Sequence, residues 1–571
     1  MKKNWVLKTS GDEAVIASLS SELGIVRPLA QLLVQRGITT YEQARMFFRP
    51  DLVNLHDPFL MKDMDVAVQR ILEAIQSGEN VLIYGDYDVD GTTAVALVYK
   101  FFKGHFKEID YYIPDRYEEG YGISVKGIDY AAQHGVTLII ALDCGIKAAD
   151  KVTYAKTRGI EFIICDHHNP GESIPEAVAV LDPKQEDCNY PYKGLSGCGV
   201  GLKLVQAYCK KTGLPDDRIY DFLDLVVVSI ASDIVPITGE NRILAHFGLK
   251  KLNKNPSIGL KAIKEVSGID RKVIDIEDIV FKIGPRINAA GRMESGKMSV
   301  DLLVCEKSTD AAAISQKINN FNLDRRSIDM EITRQAIEMI NRNALLQEKN
   351  STVLYNPEWH KGVIGIVASR LLDHFYKPTV ILTRSNGFAT GSARSVNGFD
   401  LYQAVEACSD LLENFGGHKY AAGLTMKIKN LGKFTERFET IVSENIDPEQ
   451  LIPVQEIDTE LQLMEINEKF FRVLKQFQPF GPENQSPVFL SENVVDNGFG
   501  RTVGSNGEHL KLTLIQEENP FNVFPAIAFH QGYDFQKINK GVPFDICYEL
   551  MENDFRGKVN LQINIRNIKF D

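Results

Sequence analysis

The sequence predicts an α/β protein that ends in a β-rich domain, and three observations carry that prediction. From about residue 81 to 240, short apolar runs alternate with helical stretches, the pattern of a parallel sheet. From Lys297 through Asn356 there is no Gly and no Pro, and apolar residues recur at helical spacing. Over residues 451–571 several runs alternate strictly between apolar and polar side chains, the period of half-buried strands.

The elements follow in chain order. Residues 1–75 read as an N-terminal helical extension, and 76–300 as an α/β domain. In that domain Val81-Leu82-Ile83-Tyr84 ends at Gly85-Asp86, Val136–Leu142 ends at Asp143, and Phe162-Ile163-Ile164-Cys165 ends at Asp166-His167-His168. Carboxylates just past strand ends fall at the C-terminal edge of a parallel sheet, where open α/β sheets bind ligands. Residues 301–347 form a helical connector. Its apolar positions are Ile314, Ile318, Phe321, Ile328, Ile332, Ile337 and Ile340, with Ser308, Thr309 or Asp310 as cap. Periodicity leaves open one helix or two, and a bridge between domains or a pair packed on the first. A second α/β segment occupies 348–450. In 451–571, His509–Leu514, Phe544–Leu550 and Val559–Ile565 are strands of a small barrel. The OB-fold is the commonest such barrel on nucleic-acid proteins, though alternation does not choose it.

Composition narrows the function. The 571 residues carry 64 Lys+Arg against 76 Asp+Glu, a net charge of −12, with 44% hydrophobic and 25% charged residues. That excludes a mainly disordered chain and a polybasic coat. Residues 141–240 hold 10 basic and 15 acidic residues, and residues 241–300 hold 12 and 6, so basic surface is local. No run approaches the ~18 apolar residues of a membrane span, and no signal-like core follows Met1. The eight cysteines form no CxxC pair, which argues against a zinc site or disulfide framework and for a cytoplasmic protein.

Chemistry concentrates in Gly85-Asp86-Tyr87-Asp88-Val89-Asp90-Gly91. Three aspartates in five residues repel one another unless a cation neutralises them. Asp86 and Asp88 share a face of an extended segment. An EF-hand is excluded, because no acidic ligand occupies the last loop position. Asp143, Asp166-His167-His168 and Asp233 are further polar residues in apolar settings. Hard oxygens and imidazole nitrogens without sulfur suit Mn²⁺ or Mg²⁺ better than Zn²⁺. Together these residues supply enough ligands for a dinuclear site.

GDYDVDG with DHH resembles the signature of the DHH phosphoesterase superfamily. Ile113-Pro114-Asp115-Arg116-Tyr117-Glu118-Glu119-Gly120-Tyr121-Gly122 is similar to its PxRxxxGYG segment, and Leu195-Ser196-Gly197-Cys198-Gly199-Val200 to its small-residue helix start. Gly284-Pro285-Arg286-Ile287-Asn288-Ala289-Ala290-Gly291-Arg292-Met293 resembles the RecJ single-strand-specific exonucleases. So do Trp359–Arg370, Gly391-Ser392-Ala393-Arg394-Ser395 and the GGH of Gly416-Gly417-His418. Pro479-Phe480-Gly481-Pro482-Glu483-Asn484 departs from the family's PFGxGNP at Glu483 and in the missing final Pro. The resemblance runs over essentially the whole chain.

The resemblance implies a DHH catalytic domain with a parallel sheet, a long helical connector, an α/β DHH-associated domain and a C-terminal OB-like barrel. It implies Asp86, Asp88, Asp143, His167 and Asp233 as ligands of two divalent cations, Mn²⁺ or Mg²⁺. Asp90 is a weaker candidate that orients the loop, and His168 is a ligand or its neighbour. His168 and Asp166 are the expected catalytic residues. Arg394, Ser392, Gly416, Gly417 and His418 are expected to hold a phosphate. Arg286, Asn288 and Arg292, read as a Gly-bounded loop, and Arg116 are expected to touch the DNA backbone. The implied activity is 5′→3′ hydrolysis of single-stranded DNA to 5′-mononucleotides in recombination and repair. The implied partners are single-strand-binding protein and a RecQ-type helicase, with the enzyme itself a monomer and away from membranes. The competing readings are an oligoribonuclease or cyclic-dinucleotide phosphodiesterase of the same superfamily, and a non-catalytic scaffold like the related subunit of the eukaryotic replication helicase.

Overall fold

The computed structural model describes residues 3–269, 273–516, 519–555 and 558–570. The chain forms two compact units, residues 52–452 and residues 1–51 with 453–571.

In the larger unit, five strands make a parallel sheet: β1 (Asn80–Gly85), β2 (Glu108–Tyr112), β3 (Val136–Leu142), β4 (Glu161–Cys165) and β5 (Ala179–Leu181), in the order β2-β1-β3-β4-β5. These strands read as unbroken apolar runs because both faces are covered. Leu82, Tyr84, Ile139, Ala141 and Ile164 enter one core, while Val81, Ile83, Leu138, Ile140 and Ile163 enter the other. Register fixes the chemistry. Gly85 pairs with Leu142, Leu142 with Cys165 and Cys165 with Leu181. The next residue on each strand is an aspartate, so Asp86, Asp143, Asp166 and Asp182 form one row along the C-terminal edge.

Helices α1 (Met64–Ser77), α2 (Val89–Phe102), α3 (Gly197–Thr212) and α4 (Leu223–Ser232) pack on the sheet side that carries Val81 and Ile83. The expected loop around Asn288 is instead a helix, α5 (Gly284–Met293), entered through a π-helical turn at Ile279–Ile283. Pro285 sits just after the junction of the π-helical turn with the α-helix, where the hydrogen-bond ladder already changes step.

The connector is one helix over most of its length, α6 (Ser308–Asn341), followed by a short turn at Ala344–Glu348. It bridges the domains: Ala311 and Ile318 join the catalytic core, while Ile332, Ala336 and Ile340 pack with Trp359, Val363 and Val367. Its N-cap is Lys307, with no side-chain bond, so none of the three expected capping residues serves. Its buried stripe is polar in the middle: Arg325 bonds Asn322 and Asp329, and Arg370 pairs with Asp329 from α7 (Ile364–Phe375). The associated domain holds β6 (Thr352–Tyr355), β7 (Thr379–Ser385), β8 (Phe388–Arg394), β9 (Asn414–His418) and β10 (Ala421–Lys427), in the order β9-β10-β8-β7-β6.

In the smaller unit, β11 (Phe489–Asp496), β12 (His509–Gln516), β13 (Asn519–Ala528), β14 (Phe544–Phe555) and β15 (Lys558–Lys569) close a barrel. β11 pairs with both β14 and β12, and β14-β15-β13-β12 completes the circuit. Helices Glu13–Leu23, Arg27–Gln35 and Tyr41–Phe48 pack on this barrel, sharing Leu19, Leu29, Leu33 and Ala44 with its core. The segment 1–75 is therefore divided: residues 1–51 fold with the barrel, and α1 folds with the catalytic sheet. Glu483, where the resembling family has glycine, holds φ +59. Among the described residues no helix is long and apolar enough to cross a membrane.

Candidate metal centre

Strand ends and helix starts deliver the acidic residues to one place. Asp86 directly follows β1. Its Oδ1 accepts from the Gly122 N–H at 3.4 Å, while its buried Oδ2 has no hydrogen-bond partner among the described residues. Asp88 caps α2, accepting from the Gly91 N–H at 3.1 Å. Gly91 is required there, since a Cβ would stand 2.5 Å from the Asp86 carbonyl oxygen.

Asp90 points the other way along α2. Its carboxylate accepts from the Gly197 and Cys198 N–H groups at 2.7 and 2.8 Å and from Ser229 Oγ at 2.7 Å. An anion at the first turn of α3 is favoured by the unpaired N–H groups there. Asp90 thereby ties α2 to α3 and α4, yet its Oδ2 lies 3.6 Å from His167 Nε2.

Asp143 follows β3 in the left-handed region at φ +58, and its Oδ1 stands 3.1 Å from His167 Nε2. Asp233, at the C-terminal end of α4, brings Oδ2 to 3.5 Å from the same nitrogen. Asp143, His167 and His168 form one cluster with ligand spacing, and Asp90, His167 and Asp233 form another that shares His167. Neither ring nitrogen of His167 has a hydrogen-bond partner among the described residues, nor has Asp143 Oδ1. Buried polar atoms are nearly always satisfied. These orphans, with their oxygen and imidazole chemistry, fit divalent cations.

Electrostatics agree. Burial, then the Asp88 charge, pushes the Asp86 carboxyl up to about 8. Burial, then Asp90, pushes Asp233 up to about 8 and raises Asp88. Asp143 is raised well above the carboxylate range by burial and by Asp90 and Asp88. Burial lowers His167, keeping its ring neutral and able to donate lone pairs.

Asp166, one of the two expected catalytic residues, is fully hydrogen-bonded. Its Oδ1 accepts from the His167 and His168 N–H groups at 2.7 and 3.1 Å and from His168 Nδ1 at 2.7 Å; its Oδ2 accepts from the Ile146 N–H at 2.9 Å. Burial raises this carboxyl, but His168 and the backbone donors outweigh it and hold it at about 2. Asp166 is therefore held ionised, with both carboxylate oxygens engaged by donors. Burial opposes protonation of His168, and the bond to Asp166 more than reverses that. His168 Nε2 meets the Tyr121 hydroxyl at 3.1 Å, and that hydroxyl also donates to the Asp143 carbonyl oxygen at 3.3 Å. The sequence reading missed this role of Tyr121, and it missed Asp182, whose buried Oδ2 is a further orphan.

A cavity of about 480 Å³ adjoins Tyr87, the residue between Asp86 and Asp88. Arg116, Arg292, Lys361, Ser392 and Arg394 line it, and none of its lining residues is acidic. Arg116 stacks 4.8 Å over the Tyr87 ring. Arg394 donates to Ser392 Oγ at 2.9 Å, and Arg292 donates to the Gly362 carbonyl at 3.0 Å, joining catalytic and associated domains. A Cβ at Gly365 would stand 3.1 Å from Arg394 Nη2, so glycine leaves that guanidinium room. Five expected contact residues lie elsewhere. Arg286 turns away to Asn319 Oδ1 and the Lys282 carbonyl. Asn288, on the same helix, is not in the lining. Gly416-Gly417 and His418 are exposed on the edge strand β9, two strands from Arg394 through Ala421. Gly417 is there for backbone: φ is +146 and a Cβ would strike the Ala421 carbonyl oxygen.

Comparison with known proteins matches three stretches of the chain to family models. Residues 80–230 match the DHH family N-terminal domain, residues 348–444 the DHHA1 domain and residues 457–567 the RecJ OB domain. The chain is 35% identical over 568 residues to the single-stranded-DNA-specific exonuclease RecJ of Bacillus subtilis (strain 168), covering 99% of this chain and 71% of that one. It is 32% identical to the protein of the same name from Escherichia coli (strain K12), covering 89% and 90%. RecJ from Thermus thermophilus, solved in complex with Mn²⁺, superposes with a TM-score of 0.84 at 25% identity, covering 100% of this chain and 80% of that one. By sequence and fold, then, the chain belongs to the RecJ family of single-stranded-DNA-specific exonucleases.

Proposed function

We propose that this chain is a metal-dependent exonuclease that shortens single-stranded DNA from its 5′ end, 5′→3′, releasing 5′-mononucleotides. The observation that carries the reading is the set of buried, unpartnered ligand atoms on Asp86, Asp143 and His167. Asp86, Asp88, Asp143, His167 and Asp233 would hold two divalent cations, Mn²⁺ or Mg²⁺, with His168 and Asp90 beside them. When bound, such cations supply an activated water and offset charge on the phosphate. The manganese-bound relative and the oxygen–imidazole donor set support the choice of metal.

The remaining roles belong to the protein. Asp166 accepts from His168 Nδ1–H and so presents Nε2, which is placed to orient or protonate the leaving oxygen. Tyr121 holds that ring at the Asp143 backbone. The cavity of Arg116, Arg292, Lys361 and Arg394 suits the 5′-terminal phosphate, which guanidinium groups bind bidentately. A phosphate anchored beside Tyr87 would set the distance from the strand end to the scissile bond, favouring mononucleotide products. Recombination and repair in the cytoplasm, supplied with unwound strands by single-strand-binding protein and a RecQ-type helicase, is the setting that fits a monomeric enzyme of this kind.

The test is digestion of single strands labelled at either end, with Mn²⁺, Mg²⁺ or chelator. Mononucleotides released from the 5′ end, and none with chelator, support the reading. Attack from the 3′ end, or turnover confined to dinucleotides, sinks it.

A further inference from the structure

Ile234 follows Asp233 and holds φ +60. Eight non-glycine residues among those described have positive φ, and Ile234 alone of them is β-branched. A branched Cβ in the left-handed region collides with its own backbone, whereas glycine takes this conformation freely and asparagine tolerates it. Burial does not offset the strain, because Ile234 is 65% exposed.

The turn itself is held by its neighbours. The Asp233 N–H donates to the Ser229 carbonyl at 2.9 Å, and the Pro236 carbonyl accepts from Tyr192 Oη at 3.2 Å and from Asn241 Nδ2 at 3.0 Å. Glycine at 234 would satisfy that turn with less strain. An exposed, strained isoleucine is thus explained by its side chain rather than by its backbone. Its place narrows the role. Asp233 and His168 are partly open to solvent, with side chains 27% and 37% exposed, while Asp143 and Asp90 are closed. Asp233 and His168 mark the mouth of the metal centre, and Ile234 adjoins Asp233.

We propose that Ile234 is a substrate-contacting residue: its aliphatic side chain packs on the nucleobase of the nucleotide that enters the mouth beside the scissile phosphodiester. This rests on the exonuclease reading. Such a contact is indifferent to base identity, since every base offers an apolar face. It also favours unpaired strands, because stacking in a duplex hides that face.

The experiment compares wild type, Ile234→Gly and Ile234→Asn on 5′-phosphorylated strands at saturating Mn²⁺. Each is run on an intact strand and on strands with one abasic nucleotide at the first, second or third position. Both variants should keep or raise the thermal midpoint while KM rises about tenfold, the scale of one partly covered aliphatic side chain. At one position the abasic strand should bring the same rise in wild type and little further rise in Ile234→Gly. KM unchanged in both variants, penalties that simply multiply at every position, or a thermal midpoint several degrees lower would each overturn the contact. A wild type that degrades no strand overturns the exonuclease reading and this contact with it. A wild type that degrades strands while both variants match it overturns this contact alone.

Discussion

Gly197→Ala tests whether the metal centre is as tightly specified as its packing implies. Gly197 opens α3 directly against Asp143. A Cβ there would fall 2.6 Å from Asp143 Cβ and 2.7 Å from its Oδ1, where ordinary contact begins at 3.4 Å. One side must therefore move by 3.4 − 2.6 = 0.8 Å. Neither side is free to do so. Asp143 is in the left-handed region with its N–H bonded to the Cys165 carbonyl at 2.9 Å, and the Gly197 N–H is bonded to Asp90 at 2.7 Å. Metal sites tolerate about 0.2 Å in ligand distance, and misplacement near 1 Å costs on the order of 100-fold in rate. Gly197→Ala should therefore lower kcat about 100-fold at saturating Mn²⁺ and raise the Mn²⁺ concentration for half-maximal rate by about 10- to 100-fold. Gly199→Ala is the control. The same helix start would meet nothing closer than 3.4 Å there, so activity should hold and the helix should gain about 0.5–1 kcal/mol. Steady-state digestion of a 5′-labelled strand across a Mn²⁺ titration reads both. A Gly197→Ala enzyme within about threefold of wild type in kcat, with an unshifted Mn²⁺ curve, would refute the reasoning.

Further outcomes are expected. Arg394→Ala should raise KM for 5′-phosphorylated strands about 10- to 100-fold, the worth of a charge-assisted bond, and leave 5′-hydroxyl strands nearly unchanged; an equal, slight effect on both removes the phosphate role. Asp166→Asn should lower stability by about 2–3 kcal/mol and kcat by about 10- to 100-fold through a misoriented His168, so a stable variant with normal turnover would contradict its positioning role. The metal-free protein should lose stability as pH rises. Asp86 and Asp233, pushed up to about 8, keep protons in the folded state that the unfolded chain releases from about pH 4, so the loss runs from about pH 4 to 8 and levels off above. Each group sets a slope of at most about 1.4 kcal/mol per pH unit. Thermal midpoints in chelator should show that slope and midpoints in Mn²⁺ should flatten it; a flat curve in chelator would sink the account.

Most of the centre was legible because the catalytic sheet is parallel and buried on both faces. Unbroken apolar runs mark such strands, and the first charge after each run marks the edge, which is how Asp86, Asp143 and Asp166 stood out. Asp182 sits in the same row but follows a strand of only three residues, too short to show as a run. The bonding of Asp166 was not legible, because its four donors are three backbone N–H groups and one imidazole that only the fold brings to it. Gly284–Met293 read as loop from its glycines and proline. Yet Pro285 lies at a π-to-α junction that local sequence does not announce, and Gly291 is needed because a Cβ would come within 3.0 Å of the Tyr87 carbonyl oxygen. In α6 the apolar spacing was real, but Asn322, Arg325 and Asp329 complete the buried stripe by satisfying one another, which hydropathy alone does not register. The division of residues 1–75 depends on packing against strands more than 400 residues away, and local periodicity carries no signal of that.

The net charge of −12 and a polyanionic substrate are reconciled by segregation rather than by sum. The acidic residues of the metal centre face inward, and their mutual repulsion is already expressed in raised carboxyls that cations would relieve. The neighbouring cavity is its inverse: Arg116, Arg292, Lys361 and Arg394 share one space with no acidic lining. Burial lowers Arg394, and burial with Arg116 and Arg325 brings Arg292 down to about 10, so these cations are crowded and poorly solvated. A phosphate entering there relieves like-charge repulsion as well as gaining hydrogen bonds, and cations held beyond Tyr87 would attract it further. Anchoring of the strand end and loading of the cations should therefore be mutually reinforcing, with affinity for a 5′-phosphorylated strand higher in Mn²⁺ than in chelator and falling steeply with salt.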